Sequence, residues 1–262
     1  MIPVRDQLPT RRVPIVTYLI LAANLLVFVW ERLVLAAGVS PRRLLAAWGL
    51  VPIELVRAPI ENGVTVVTSM FMHDPSGYLH LGGNMLFLWI FGDNVEDALG
   101  RGRYLAFYLL SGLAAALAQI AIDPSSTVPM VGASGAIAGV LAAYGSLYPR
   151  SPITVVNPVL PLWFFFGLFI QLPAWVVILE FFVVNLWSGL GGLGLGAQGG
   201  VAFFAHLGGF VAGLFLVRLF VTGPPRRDAP RWDGWRSGRS RRPVRAARRY
   251  GLEPPIHRGP WD

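Results

Sequence analysis

Apolar and polar positions fall in long blocks along this chain, not with the short period of a surface helix or a half-buried strand. Uncharged runs cover residues 13–30, 75–92, 104–122, 124–149, 151–179 and 181–217. About 20 apolar residues in a helix cross a hydrocarbon layer ~30 Å thick. The pattern therefore predicts an all-α, polytopic membrane protein. The run at 13–30 is too long for the apolar part of a signal peptide and no small-residue cleavage site follows it, so it reads as a retained first span. Pro161 and Pro173 interrupt the fifth stretch. One span over about 174–190, preceded by an interfacial segment, fits better than two short ones.

Charge orients these spans. All 22 basic residues are arginines, and 11 of them lie in residues 223–262 with four acids and seven prolines. Six spans with a cytoplasmic amino terminus put 18 arginines inside and leave Arg32, Arg42, Arg43 and Arg57 outside, as the positive-inside rule requires. Seven spans would put the basic tail on the wrong side. The chain thus divides into a cytoplasmic segment 1–12, a six-helix membrane domain 13–222 and a basic, proline-rich cytoplasmic tail 223–262. Such a tail has too little apolar surface to fold alone and is suited to anionic lipid headgroups. No folded nucleic-acid reader accompanies it, so nucleic acid is not expected as a partner. The outer loop, about residues 31–68, repeats Leu44, Leu45, Trp48, Leu50, Val51, Ile53, Leu55 and Val56. An amphipathic segment in the membrane interface and an ordinary packed loop both fit this pattern.

Polar groups inside spans are expensive, so each is a candidate for function. His80 and Asn84 are four apart and share a helix face. Ser134 sits in Gly132-Ala133-Ser134-Gly135, where small neighbours leave its hydroxyl uncovered. His206 precedes Gly209 and Gly213. GxxxG spacings at Gly135/Gly139 and Gly209/Gly213 let two helices approach closely and bring Ser134 towards His206. In the six-span arrangement the second, fourth and sixth spans run in the same direction, which puts all four polar groups at one depth. A serine beside an imidazole base suits nucleophilic acyl transfer. His80, Asn84 and the Ser134 amide could then meet the oxyanion. No acid lies at this depth, so a Ser-His dyad is expected. No cysteine and no close histidine-carboxylate set is available, and neither a metal nor a cofactor is expected. A transporter would want a charged midplane pathway or an inverted repeat, and only Glu180 stands out as such a charge.

These pieces in this order resemble the rhomboid intramembrane serine proteases. The matching residues are His73 with His80-xxx-Asn84, then Gly92, Glu96 and Gly100, then Gly132-Ala133-Ser134-Gly135, then His206-Leu207-Gly208-Gly209. The resemblance implies a six-transmembrane-helix rhomboid-like bundle in a bacterial-type plasma membrane with both termini cytoplasmic. It implies an endopeptidase that cleaves within or beside the spans of single-span membrane proteins. Ser134 would be nucleophile, His206 base, and His80 and Asn84 oxyanion donors, with His73, Gly132, Gly135 and Gly209 in support. It also implies a mobile fifth span. A non-catalytic relative that binds transmembrane helices is the alternative. Two departures stand out: the segment between His73 and His80 is longer than in many members, and Ala138 replaces a tyrosine that stacks on the base in well-studied bacterial members. Phe210 or Phe204 is the expected substitute.

Overall fold

A computed structural model describes residues 1–74, 78–157, 167–195, 203–221, 223 and 230–232, with the side chains at 189 and 191–195 outside that description. Residues Met1–Arg231 form one unit, and of Trp232–Asp262 only Trp232 is described. Nearly all of the expected basic tail thus lies outside the described residues.

Helices dominate. The elements run β1 (Ile2–Asp6), α1 (Ile15–Ala36), α2 (Pro41–Trp48), α3 (Pro52–Arg57), α4 (Pro59–Asn62), α5 (Thr65–Thr68), α6 (Tyr78–Leu99), α7 (Arg101–Ile122), α8 (Ser134–Leu147), β2 (Pro152–Val156), β3 (Phe169–Pro173), α9 (Ala174–Leu195) and α10 (Phe203–Phe220). A helix lies in every stretch expected to hold one. Among the described residues three of them, α1, α7 and α10, are long and apolar enough to cross a membrane, and Ser134–Leu147 and Ala174–Ser188 are shorter apolar helices.

The expected all-α fold is corrected to a mostly helical one. A three-stranded antiparallel sheet in the order β1-β2-β3 joins the first residues of the chain to the α8–α9 connection. Ile2 pairs with Val156 and Asp6 with Ile153 across a register shift between Pro3 and Arg5, while Pro152 pairs with Pro173 and Val156 with Phe169. Pro3 is tolerated because β1 is an edge strand. Ile153 and Val155 point into the core. Strands of only five residues give too short an alternation to read, and the partners of β1 lie about 150 positions away, which is why hydropathy missed the sheet.

The first helix also runs past its expected end at Trp30. Glu31, taken from its charge as the start of the outer loop, is fully buried inside α1, and its Oε1 accepts the His73 backbone N–H at 2.8 Å. At the other end, Pro14 leaves the α1 amides uncapped, and Glu96 of α6 supplies the acceptor. Its carboxylate receives Val16 N–H at 3.0 Å, Thr17 N–H at 2.7 Å and the Thr17 hydroxyl at 2.8 Å. A negative group at a helix start also complements the helix dipole. Gly100, at φ +82°, turns the chain from α6 into α7.

The outer segment is a packed loop of four short helices. Ser40 caps α2 by accepting the Arg43 N–H, with Pro41 in the first turn. Leu44, Leu50 and Val51 turn inward, whereas Trp48 and Ile60 stay exposed. This loop braces the chain that leads into α8: Leu50 and Met130 exchange backbone bonds at 3.0 and 2.8 Å, and Ile53 N–H reaches Ser126 O at 3.1 Å.

Candidate active site

Ser134 opens α8. The preceding turn needs Gly132, whose φ of +123° is costly for any residue with a Cβ, and whose N–H donates to Ser69 O at 2.9 Å. No side chain caps this helix start. The first amides of α8 therefore lack intrahelical acceptors, and the positive end of the helix dipole lies at the serine.

His206 is in the first turn of α10, and glycines decide how close it comes. A Cβ on Gly209 would run into the Gly135 carbonyl oxygen, and one on Gly213 into that of Gly139, with the Gly139 Cα only 2.6 Å away. A Cβ on Gly139 would in turn meet Ser111 of α7 at 2.5 Å. The two GxxxG strips thus face each other backbone to backbone, as the spacing predicts. His206 Nε2 and Ser134 Oγ stand 2.7 Å apart. Gln119 of α7 steadies the same turn by accepting the Ala205 N–H at 3.3 Å.

The other side of the imidazole holds a residue that sequence reasoning missed. Asn185 of α9 puts its Oδ1 against His206 Nδ1, and its Nδ2 donates to the Phe181 carbonyl at 2.8 Å. The aromatic neighbour is Phe181, at 6.1 Å between ring centroids, while Phe210 packs on Phe182. A buried asparagine inside an apolar span was the available signal, but nothing in the sequence said which helix it faces. Glu180, the charge that drew attention there, instead meets the Met1 amino group at 2.5 Å.

On the third side, His73, His80 and Asn84 form one cluster. His73 is fully buried; its Nδ1 faces Phe71 O at 3.2 Å and its Nε2 faces Asn84 Nδ2 at 3.2 Å. A carbonyl opposite Nδ1 puts the proton there, so Nε2 accepts from Asn84. Burial, reinforced by the neighbouring His80, lowers the His73 pKa to about 4, in keeping with a neutral ring. The His80 ring lies edge-on to His73 at 5.6 Å. It also converges on the serine: a Cβ on Gly132 would stand 3.0 Å from His80 Cε1, 3.2 Å from its Nε2 and 3.5 Å from Ser134 Oγ. A cavity beside Ser134 is lined by Ser69, Met70, Gly112, Gly132 and Ala205 among others. No group of three or more metal-ligating side chains occurs among the described residues.

Such an arrangement has the parts for nucleophilic chemistry: a hydroxyl, a base within hydrogen-bond reach, and donors converging beside the reacting oxygen. Comparison with known proteins bears on the same region. Residues 61–223 match the family described as "Rhomboid domain". Rhomboid protein 1, mitochondrial, of Saccharomyces cerevisiae is 30% identical over 160 residues, 59% of this chain and 41% of that protein. Rhomboid protease GluP of Bacillus subtilis is 34% identical over 130 residues, 50% of this chain and 24% of that protein. RHOMBOID-like protein 5 of Arabidopsis thaliana is 28% identical over 172 residues, 65% and 48%. The chain spans less than half the length of each of these relatives. With its mostly helical, membrane-suited fold and a match across well over half its length, this chain belongs to the rhomboid family of integral membrane proteins.

Proposed function

We propose that the chain is an intramembrane serine endopeptidase that cleaves the transmembrane segments of single-span membrane proteins through Ser134 and His206. The observation that carries this is the 2.7 Å approach of His206 Nε2 to Ser134 Oγ across two helices of a rhomboid-family chain. His206 takes the Ser134 proton as the oxygen attacks the scissile carbonyl carbon. The Ser134 amide, His80 and Asn84 donate to the oxyanion, with Asn84 held in place by His73. His206 then returns the proton to the leaving amine. Water repeats the sequence on the acyl-enzyme and releases the second fragment. Small or helix-breaking residues at the scissile site make a substrate helix easier to unwind.

All six apolar helices cross the bilayer in this reading. Pairing of β1 with β2 supports it, because two strands in one sheet require an even number of crossings between them, and α1, α6, α7 and α8 make four. The arginine distribution supports cytoplasmic termini with the tail near anionic lipid, and this reading takes the membrane to be a bacterial-type plasma membrane. Reporter fusions at either end test that orientation.

The decisive experiment labels detergent-purified wild type and Ser134→Ala with a fluorophosphonate, read by intact mass, beside cleavage of a single-span substrate. One adduct on wild type, none on the variant, and a loss of cleavage of at least about 1,000-fold are expected. Undiminished cleavage by Ser134→Ala would refute the assignment. Substrate-helix binding without labelling or cleavage would favour a non-catalytic, helix-binding rhomboid-like protein.

A further inference from the structure

Asn185 is a buried polar group that the mechanism above leaves unused. Along the described part of α9, Ala174, Val177, Ile178 and Asn185 are buried, while Trp175, Leu179, Val183, Val184 and Trp187 are exposed. Asn185 is therefore on the face that α9 turns towards the rest of the molecule. A buried carboxamide is costly unless both its ends are bonded, and here both are.

Those two bonds fix a proton. Nδ2 is the donor of the amide and is committed to the Phe181 carbonyl. Turning the amide over would set oxygen against that carbonyl and gain nothing. Oδ1 must therefore face His206, and an oxygen facing Nδ1 is satisfied only if Nδ1 carries the hydrogen. That leaves Nε2 with its lone pair towards Ser134 Oγ. A free histidine side chain prefers the opposite tautomer, whose Nε2 carries the hydrogen and so has no lone pair facing Ser134 to take its proton.

Ser134 and His206 ride on α8 and α10, which glycine contacts lock together, whereas Asn185 rides on α9. Displacing α9 would break the Asn185 contact and leave the Ser134–His206 distance unchanged. We infer that Asn185 is a positioning residue that holds His206 in its Nδ1–H tautomer, so that the base is ready only while α9 is seated against α10. This deepens the protease assignment and rests on it.

The test uses full-length, ¹⁵N-histidine-labelled protein in detergent, with the His206 signals assigned by their absence from His206→Ala. Imidazole nitrogen shifts are recorded for wild type and Asn185→Ala, and kcat and KM are measured on one single-span substrate. Wild type should show Nδ1–H at His206. Asn185→Ala should move it towards Nε2–H and lower kcat roughly 10- to 100-fold, with KM within about twofold. An Nε2–H signal in wild type would overturn the inference even if the variant fails to fold. So would a wild-type spectrum or wild-type kcat in a folded Asn185→Ala. Wild type with the Nδ1–H tautomer but no turnover or labelling would refute the protease reading while upholding the tautomer assignment.

Discussion

The seam between α8 and α10 and the side closed by α9 both touch His206, but they are built on opposite principles. Along the seam, glycine backbones meet with no room for a methyl group, so the Ser134–His206 geometry follows from main-chain contact. On the α9 side, support comes from the Asn185 side chain and from the root of the helix. There Ala174 N–H donates to Ser151 O at 2.8 Å and Trp175 N–H to Pro149 O at 3.0 Å. Backbone contact cannot adjust; a side-chain bond can be broken and remade. The Ser134–His206 pair is thus held by main-chain contact, whereas Asn185, on the other side of His206, is held through side-chain bonds.

The most severe way to break this contrast is Gly213→Val. Its branched side chain would meet Gly139 backbone, which cannot give, and more than about 3 kcal/mol of stability should be lost. Thermal unfolding in detergent and fluorophosphonate labelling should fail together. Gly102→Ala is its control: nothing lies within 4 Å of the added methyl, and the helix should gain up to about 1 kcal/mol.

Glu96→Gln comes next. It removes the charge that receives the first amides of α1, and unfolding should shift by about 1–3 kcal/mol. Because these bonds lie in the first turn of α1, at the opposite end of that 22-residue helix from Glu31 and the His73 cluster, labelling per folded molecule should stay unchanged.

A pH effect sharpens the α9 side. Asp6 accepts from Asn94 Nδ2 at 2.8 Å and from the Tyr144 hydroxyl at 2.9 Å, and that hydroxyl is also 3.1 Å from Ser151 Oγ, beside the root of α9. Burial pushes the Asp6 carboxyl up to about 6, with the Tyr144 bond opposing it only in part. A raised carboxyl pKa means that the folded state holds the proton more tightly. The stability it contributes is complete below about pH 3.8 and is lost as pH rises through about 6. Asp6→Asn removes that loss, so between pH 4 and 7 the variant should gain on wild type by about 1–3 kcal/mol. Parallel pH curves for the two proteins would contradict this. The smallest effect is expected for Trp187→Ala on the exposed face of α9, within about 0.5 kcal/mol of wild-type stability.

Much of this was legible in the sequence, because the signals were local. Uncharged runs marked the helices, and two GxxxG strips on helices of the same direction were enough to bring Ser134 and His206 together. What escaped depends on partners distant in sequence. Glu31 carries a charge that reads as a helix end, yet it lies inside one, where its Oε1 accepts a backbone N–H from His73. Glu96 stood out as one of the residues matching the rhomboid pattern, and that it receives the first amides of α1 was not legible. Asn185 was visible as a polar residue in a span, while the helix it faces depends on packing.

The sheet also imposes an order of events. Gln7 meets Thr154 across 147 positions, and β1 has no partner until β2 has been made. At about 5–20 residues per second of synthesis, the first strand waits roughly 7 to 30 s. During that interval α1, α6, α7 and α8 have all emerged, so closure of the sheet can only follow them. In the six-crossing reading proposed above, a chain in which one of these helices failed to cross would leave β1 and β2 on opposite sides of the bilayer. In that reading the small sheet closes only where an even number of crossings separates β1 from β2, so its closure reports on how the intervening helices were inserted.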